Sequence, residues 1–188
     1  MAEVMILVAK TANNRGGGGK MVVEVRRMME SDVELVYRVF NENRIGKPMD
    51  YIKECWAQNE AGDRITLLAF NQGEFVGSLH LLHRSDYPYF AENGIPEIND
   101  FNVIPALRKH GIGTALMDEA ENIAFGQYSV VGIGVGLYRD YGSAQRMYAQ
   151  RGYVPDGRGV MVHNRPVVPG SSVRVDDDLV LYFTKVKA

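Results

Sequence analysis

The sequence predicts a single α/β domain on a mixed sheet, outside the regular doubly wound class. Three observations predict it. Two helical patterns stand early in the chain, a hairpin pattern follows at Ile65–Leu82, and strands and helices then run in the order β-α-β-α-β-β. With 188 residues, 46% hydrophobic and 23% charged, the chain can bury one real core.

Val22–Arg26 alternates as a short strand. Ser31 and Glu34 have capping-box spacing, and Val33, Val36, Tyr37 and Phe40 mark the buried face of the helix behind them. Pro48 starts a second helix that runs to about Gln58. Ile65–Phe70 and Phe75–Leu82 flank the turn Asn71–Gly73 as a hairpin. The segment from Ser85 to Pro96, rich in Pro, Tyr and acidic residues, reads as a loop. Glu97–Ile104 is a strand ended by Pro105. Gly111 then opens a helix with Ile112, Ala115, Leu116, Ala120 and Ile123 inward. Tyr128–Tyr138 reads as a strand, Ser143–Gln150 as a short helix, and Tyr153 begins another strand. A long turn around Pro166–Ser172 and a last strand at Leu179–Val186 complete the order.

Residues 1–20 differ in composition and are expected to form a flexible or accessory tail, with the domain proper at 21–188. The glycine run before Lys20 is not a phosphate loop. Met21 stands where Ser or Thr should hold magnesium, and Asn14 stands where the opening Gly belongs.

Composition removes several classes of function. A net charge of −2, from 21 basic and 23 acidic residues, offers no broad surface for nucleic acid or anionic membrane. Cys55 is alone and lies on an apolar helical face with Ile52 and Trp56, so a buried structural thiol is favoured over a nucleophile. His80, His83, His110 and His163 have unrelated spacings, and no metal site is expected. No apolar run approaches the roughly 18 residues that span a bilayer. Glu3 precedes the short opening stretch in place of a basic region, so neither a membrane span nor a signal peptide is expected, and the expected location is cytoplasmic.

The chemistry concentrates between Asn99 and Leu116. A strand runs into a basic turn, then Gly111, Ile112 and Gly113, then an amphipathic helix. Glycines let main-chain N–H groups approach an anion, and a helix start adds unpaired donors with partial positive charge. Arg108, Lys109 and His110 set cationic side chains beside them. The segment is suited to a phosphate-bearing ligand, and the competing account is a helix start that uses Gly for a tight turn. A dinucleotide fingerprint is excluded, because Leu116 occupies the third glycine position.

Arg108–Gly113 satisfies the pattern Arg/Gln-x-x-Gly-x-Gly/Ala. Ala144, Tyr148, Gly152 and Tyr153 resemble a second element, Ala-x-x-x-Tyr-x-x-x-Gly-aromatic. On these residues the sequence resembles the GNAT N-acetyltransferase superfamily, by motif over about 97–155 and by element order from Val22 to Val186. The resemblance implies a mostly antiparallel mixed sheet with helices on both faces, splayed between the family's strands four and five to admit a pantetheine arm. It implies acetyl-CoA as co-substrate, no metal, and an amine on a small molecule or protein as acceptor; a homodimer stays open. Main-chain atoms of Val103 would contact the pantetheine arm. Arg108 and the amides of Gly111, Gly113 and Thr114 would hold the pyrophosphate, within a segment that includes Lys109, His110 and Ile112. Tyr141 stands where many members carry Asn.

N-acyl transfer needs a base to strip an alkylammonium of pKa about 10.4 and an acid for the departing thiolate. Glu97, opening the strand before the motif, is the candidate base by resemblance, with a solvated strand-end carboxylate as the even alternative. Asp100 is a second candidate, although strand alternation turns it to the opposite face. Tyr148 resembles the family's general acid, and a plain core aromatic competes with that role. Gly132, Gly134 and Gly136 line one face of a strand, giving room for a ligand or tight packing against a helix. Asp176, Asp177 and Asp178 are an acidic rim or a solvated turn. The alternative function is a non-catalytic CoA-binding sensor of the same fold.

Overall fold

The computed structural model describes residues 8–12 and 21–188. The described chain forms strands β1 (Val8–Ala12), β2 (Met21–Arg27), β3 (Arg64–Asn71), β4 (Glu74–Leu82), β5 (Glu97–Val103), β6 (Val130–Gly136), β7 (Val154–Val162), β8 (Arg165–Pro166) and β9 (Leu179–Val186). The helices are α1 (Val33–Glu42), α2 (Met49–Ala61), α3 (Pro88–Glu92), α4 (Ile112–Gln127) and α5 (Gly142–Gln150). The chain divides into two compact units. One holds the described residues up to Leu82 together with Asp100–Ile123; the other holds His83–Asn99 and Ala124–Ala188.

In the first unit β1, β2, β3 and β4 pair antiparallel in chain order. β1 lies within the expected tail and runs Val8 against Val25, whereas the glycine run at 16–19 is outside the described residues. β3 and β4 join through Gln72 and Gly73, both with positive φ, a two-residue turn that matches the twist of the hairpin. Ile65–Phe70 are all buried, as in a strand covered on both faces. α1 lays Val33, Val36 and Phe40 against Leu68, Phe70 and Phe75 of the hairpin; α2 adds Ile52, and Ile104 completes the cluster. Main-chain bonding from the Ile104 N–H to the Val76 carbonyl, 3.0 Å, ties the end of β5 to β4.

The start of α1 differs from the expectation. Ser31 lies in a 3-10 turn, Glu30–Asp32, and no side chain caps α1. Asp32 acts instead: its carboxylate accepts from the Met29 N–H at 2.7 Å and from both terminal nitrogens of Arg26 at 2.6 and 2.7 Å. A bidentate guanidinium clamp outcompetes the weaker serine cap.

In the second unit β6, β9 and β7 pair antiparallel, and β8 closes on β7. Glu97 and Ile98 of β5 run parallel to Gly132 and Ile133 of β6. The mixed, mostly antiparallel pairing is the one predicted. The Ser85–Pro96 segment is not all loop: Pro88 opens α3, and Phe90 drops into a cluster with Tyr87, Ile95, Met161 and Tyr182. The Tyr87 and Tyr182 rings stack with centroids 3.8 Å apart. β6 is shorter than the Tyr128–Tyr138 expected, because Arg139–Tyr141 turns into 3-10 geometry.

Candidate functional site

The predicted anion turn lies in the first unit. β5 ends at Val103, Pro105–Leu107 makes a 3-10 turn, and α4 begins at Ile112. Lys109 has φ +66° and Gly111 φ +83°, so the backbone passes twice through the left-handed region within three residues. Glycine adopts it freely; lysine does so at a cost. The Gly111 carbonyl accepts the first helical bond from the Ala115 N–H at 3.0 Å. Ile112, Gly113 and Thr114 therefore fill the first turn, whose amides have no carbonyl behind them in the helix. The Gly113 hydrogen faces Phe101: a Cβ there would meet the ring at 2.9 Å. Arg108 and Lys109 are exposed and His110 is half-buried. Arg108 Nε leans back to the Val103 carbonyl at 3.4 Å, and His110 Nδ1 lies 3.2 Å from the Leu107 carbonyl. Residues 108–114 thus form one turn between β5 and α4, with Ile112 buried and Arg108 and Lys109 exposed.

Upstream, Asp100 is held in a network of its own. Its φ is +45°, a kink that resets the two-residue period of β5. The carboxylate takes Lys47 Nζ at 2.5 Å and the Tyr51 hydroxyl at 2.7 Å, and faces His80 Nε2 at 3.4 Å. Because a carboxylate only accepts, the shared proton sits on Nε2, leaving His80 Nδ1 to accept from Thr66 Oγ1 at 2.9 Å. Burial disfavours the Asp100 charge, but contact with His80 and then Lys47 outweighs it and holds the carboxyl well below its usual range. His80 itself is pushed down by burial, and so stays neutral. Asp100 is thus a fixed anion and a poor proton acceptor. Its stabilisation is fully present above the unfolded value of about 3.9 and is lost as pH falls through the depressed folded one. Asp100→Asn is expected to cost about 3 kcal/mol, the low end for breaking a buried pair. At about 2–4 °C per kcal/mol, a thermal melt should show a fall of about 6–12 °C.

Cys55 is buried within the same network, with Arg64 Nη1 at 3.1 Å from its sulfur. Burial pushes its thiol up, against the pull of Arg64, which disfavours a nucleophilic role.

Glu97 lies in the second unit and is 5% exposed, not a solvated strand end. Ser85 Oγ donates to its Oε2, and Asn99 Nδ2 lies 3.2 Å from its Oε1. Burial raises its pKa from 4.5 to about 6, against the two hydrogen bonds and with help from Asp86. Proton affinity is thereby poised close to neutrality, as a general base requires. Sequence reading missed Ser85. Its Oγ accepts the Tyr87 N–H at 2.9 Å, a local serine turn that a Ser-x-x step into Pro88 could have signalled.

Tyr148 sits in the same unit, 4% exposed on α5, and burial raises its hydroxyl well above the ordinary range. Gly152, at φ +85°, ends α5, and the Tyr153 N–H reaches the Tyr148 carbonyl at 3.0 Å. That is the six-to-one bond of a Schellman terminus, so helix termination accounts for the Tyr148–Gly152 spacing. The three β6 glycines serve packing. A Cβ at Gly132 would collide with the Phe90 ring, at Gly134 it would meet Tyr182 at 2.9 Å, and at Gly136 Tyr141 at 2.5 Å. The hydroxyls of Tyr141 and Tyr138 both donate to Asp177, giving that part of the acidic run a structural role. Among the described residues no group of three or more His, Cys, Asp or Glu could hold a metal ion, and no helix is long and apolar enough to cross a membrane.

Residues 31–153, more than half of the chain, match the model of the Acetyltransferase (GNAT) family. The fold is similar to that of an N-acetyltransferase from Staphylococcus aureus Mu50, at 12% identity and a TM-score of 0.66, over 87% of this chain and 98% of that one. It is also similar to a ribosomal-protein-alanine N-acetyltransferase from Brucella melitensis, at 14% identity and a TM-score of 0.64, over 87% and 99%. A spermidine N-acetyltransferase chimera from Vibrio cholerae and hSSAT matches at 13% identity and a TM-score of 0.62, over 87% and 95%. At these identities the likeness is one of fold alone. No curated protein matches the sequence.

Proposed function

The chain belongs to the GNAT acetyltransferase family, and from that premise we propose that residues 21–188 move an acetyl group from acetyl-CoA to an amine by direct attack in a ternary complex. The observation that carries this reading is the turn at Arg108–Thr114, where left-handed Lys109 and Gly111 present the first amides of α4 beside the Arg108 and Lys109 side chains and His110. Its chemistry fits a diphosphate. The amides of Gly111, Gly113 and Thr114 and the Arg108 guanidinium would hold that group, with Lys109 and His110 adding charge and the Val103 main chain steadying the pantetheine arm. Acetyl-CoA supplies the electrophilic thioester.

The chain's own groups supply the proton transfers. Above about pH 6 the Glu97 carboxylate is ionised and able to take a proton from the acceptor ammonium. Tyr148, kept protonated by burial, is able to give one to the departing thiolate. Asp100 is the weaker candidate for the base, because its partners keep it from binding a proton. The buried Cys55 thiol favours direct attack over an acyl-enzyme. We further place the protein in the cytoplasm, with a small-molecule or protein amine as acceptor.

Thiol release from acetyl-CoA across a panel of amines, including spermidine and peptide N-termini, tests the reading. Turnover is expected, and its kcat/KM should fall on the acid side of an inflection near pH 6 as Glu97 takes up its proton. Tight CoA binding without turnover of any amine would favour the sensor instead.

A further inference from the structure

Glu97 and Ser85 lie twelve residues apart, yet both side chains are buried and bonded to each other. Ser85 is 3% exposed and Glu97 5%. The direction of the serine hydroxyl is what gives this contact a role. One lone pair of Oγ is taken by the Tyr87 N–H at 2.9 Å, which orients the group and leaves its proton aimed at Glu97 Oε2. A hydroxyl so aimed matches an ionised carboxylate, which only accepts. It does not match a protonated carboxyl carrying its proton on the same oxygen.

We propose that Ser85 is a positioning residue for the candidate base, its Tyr87-oriented hydroxyl holding the Glu97 carboxylate in one rotamer and in its proton-accepting form. The inference rests on the reading of Glu97 as the base. The other groups that face Glu97 are few. Asn99 Nδ2 approaches the second carboxylate oxygen at 3.2 Å. Asp86 contributes like charge that opposes ionisation. Tyr182 feels the charge of Glu97, Tyr87, Asp86 and Asp156 and is itself raised, chiefly by burial, so it stays neutral. Opposite Glu97 in the parallel register stands Gly132, which brings no side chain. Ser85 is therefore the buried donor with a fixed direction, and Asn99 the longer, half-buried second.

The test is a titration of the Glu97 side-chain carboxyl by carbon-detected NMR in the full chain, with and without Ser85→Ala. Removing a hydrogen bond to the charged form should raise the midpoint above its starting value of about 6. A rise of about one pH unit, a tenfold gain in proton affinity, is the expected size. The acid limb of kcat/KM should move upward by the same amount. Ser85→Cys, of similar volume but a weak donor, should give a smaller shift in the same direction and stands in if the alanine variant fails to fold. A midpoint unmoved in both variants overturns the role of Ser85. Glu97→Gln separates the two claims: if that variant keeps full turnover, the base assignment itself falls, whatever the titration of Ser85→Ala reads.

Discussion

Tyr148→Phe is expected to slow acetyl transfer about 10²–10⁴-fold, the usual worth of a positioned proton donor. The ring stays in place against Tyr153, whose centroid is 6.0 Å away, and the helix end at Gly152 does not use the hydroxyl, so the melting temperature should hold. Burial raises the hydroxyl well above its ordinary value, which keeps it protonated throughout the working range while making it a weaker acid. A loss caused by missing proton donation should shrink with a thioester whose thiol leaves more readily. Steady-state kinetics with two thioesters of different thiol pKa reads this directly. An unchanged rate would make Tyr148 a core aromatic whose spacing from Gly152 serves only to end a helix.

Gly77→Val is expected to weaken acetyl-CoA binding at least tenfold and to destabilise the fold. A Cβ at Gly77 would lie 2.6 Å from the Asn102 carbonyl oxygen and 3.3 Å from the Val103 Cα. Both are main-chain atoms of β5, so neither can swing aside as a flexible side chain would. The strand must shift, and with it the segment that leads into Arg108–Thr114. Overpacking of this kind costs about 1–3 kcal/mol or more. Calorimetric titration with acetyl-CoA and a thermal melt measure the two effects. Wild-type affinity in a folded Gly77→Val protein would detach the donor turn from the position of β5.

Local patterns made much of this legible. The hairpin from Ile65 to Leu82 followed from two apolar runs about the turn Asn71–Gly73, and the last strand keeps its predicted bounds at Leu179–Val186. The turn geometry at Arg108–Thr114 was readable because all its parts lie within seven consecutive residues. What escaped depends on partners distant in sequence. Ser31 has a capping-box spacing, but Arg26 reaches Asp32 and settles the helix start differently. The partners of Asp100 escaped because Lys47, Tyr51 and His80 are all more than nineteen residues away, and alternation says nothing of its left-handed φ. The β6 glycines are explained by rings from Phe90, Tyr182 and Tyr141, which no pattern within the strand encodes. The burial of Glu97 depends on a segment that reads as loop but folds back as Ser85 and α3.

Lys109 holds a backbone angle that only glycine adopts without penalty. The folding reaction has therefore already met the conformational expense of shaping the turn. On the proposed reading, a diphosphate arriving there would find its amides aimed, so little disorder would have to be given up at the moment of capture. Position 109 then trades about 1 kcal/mol of folding stability for that readiness, and a lysine brings a positive charge which glycine would lack.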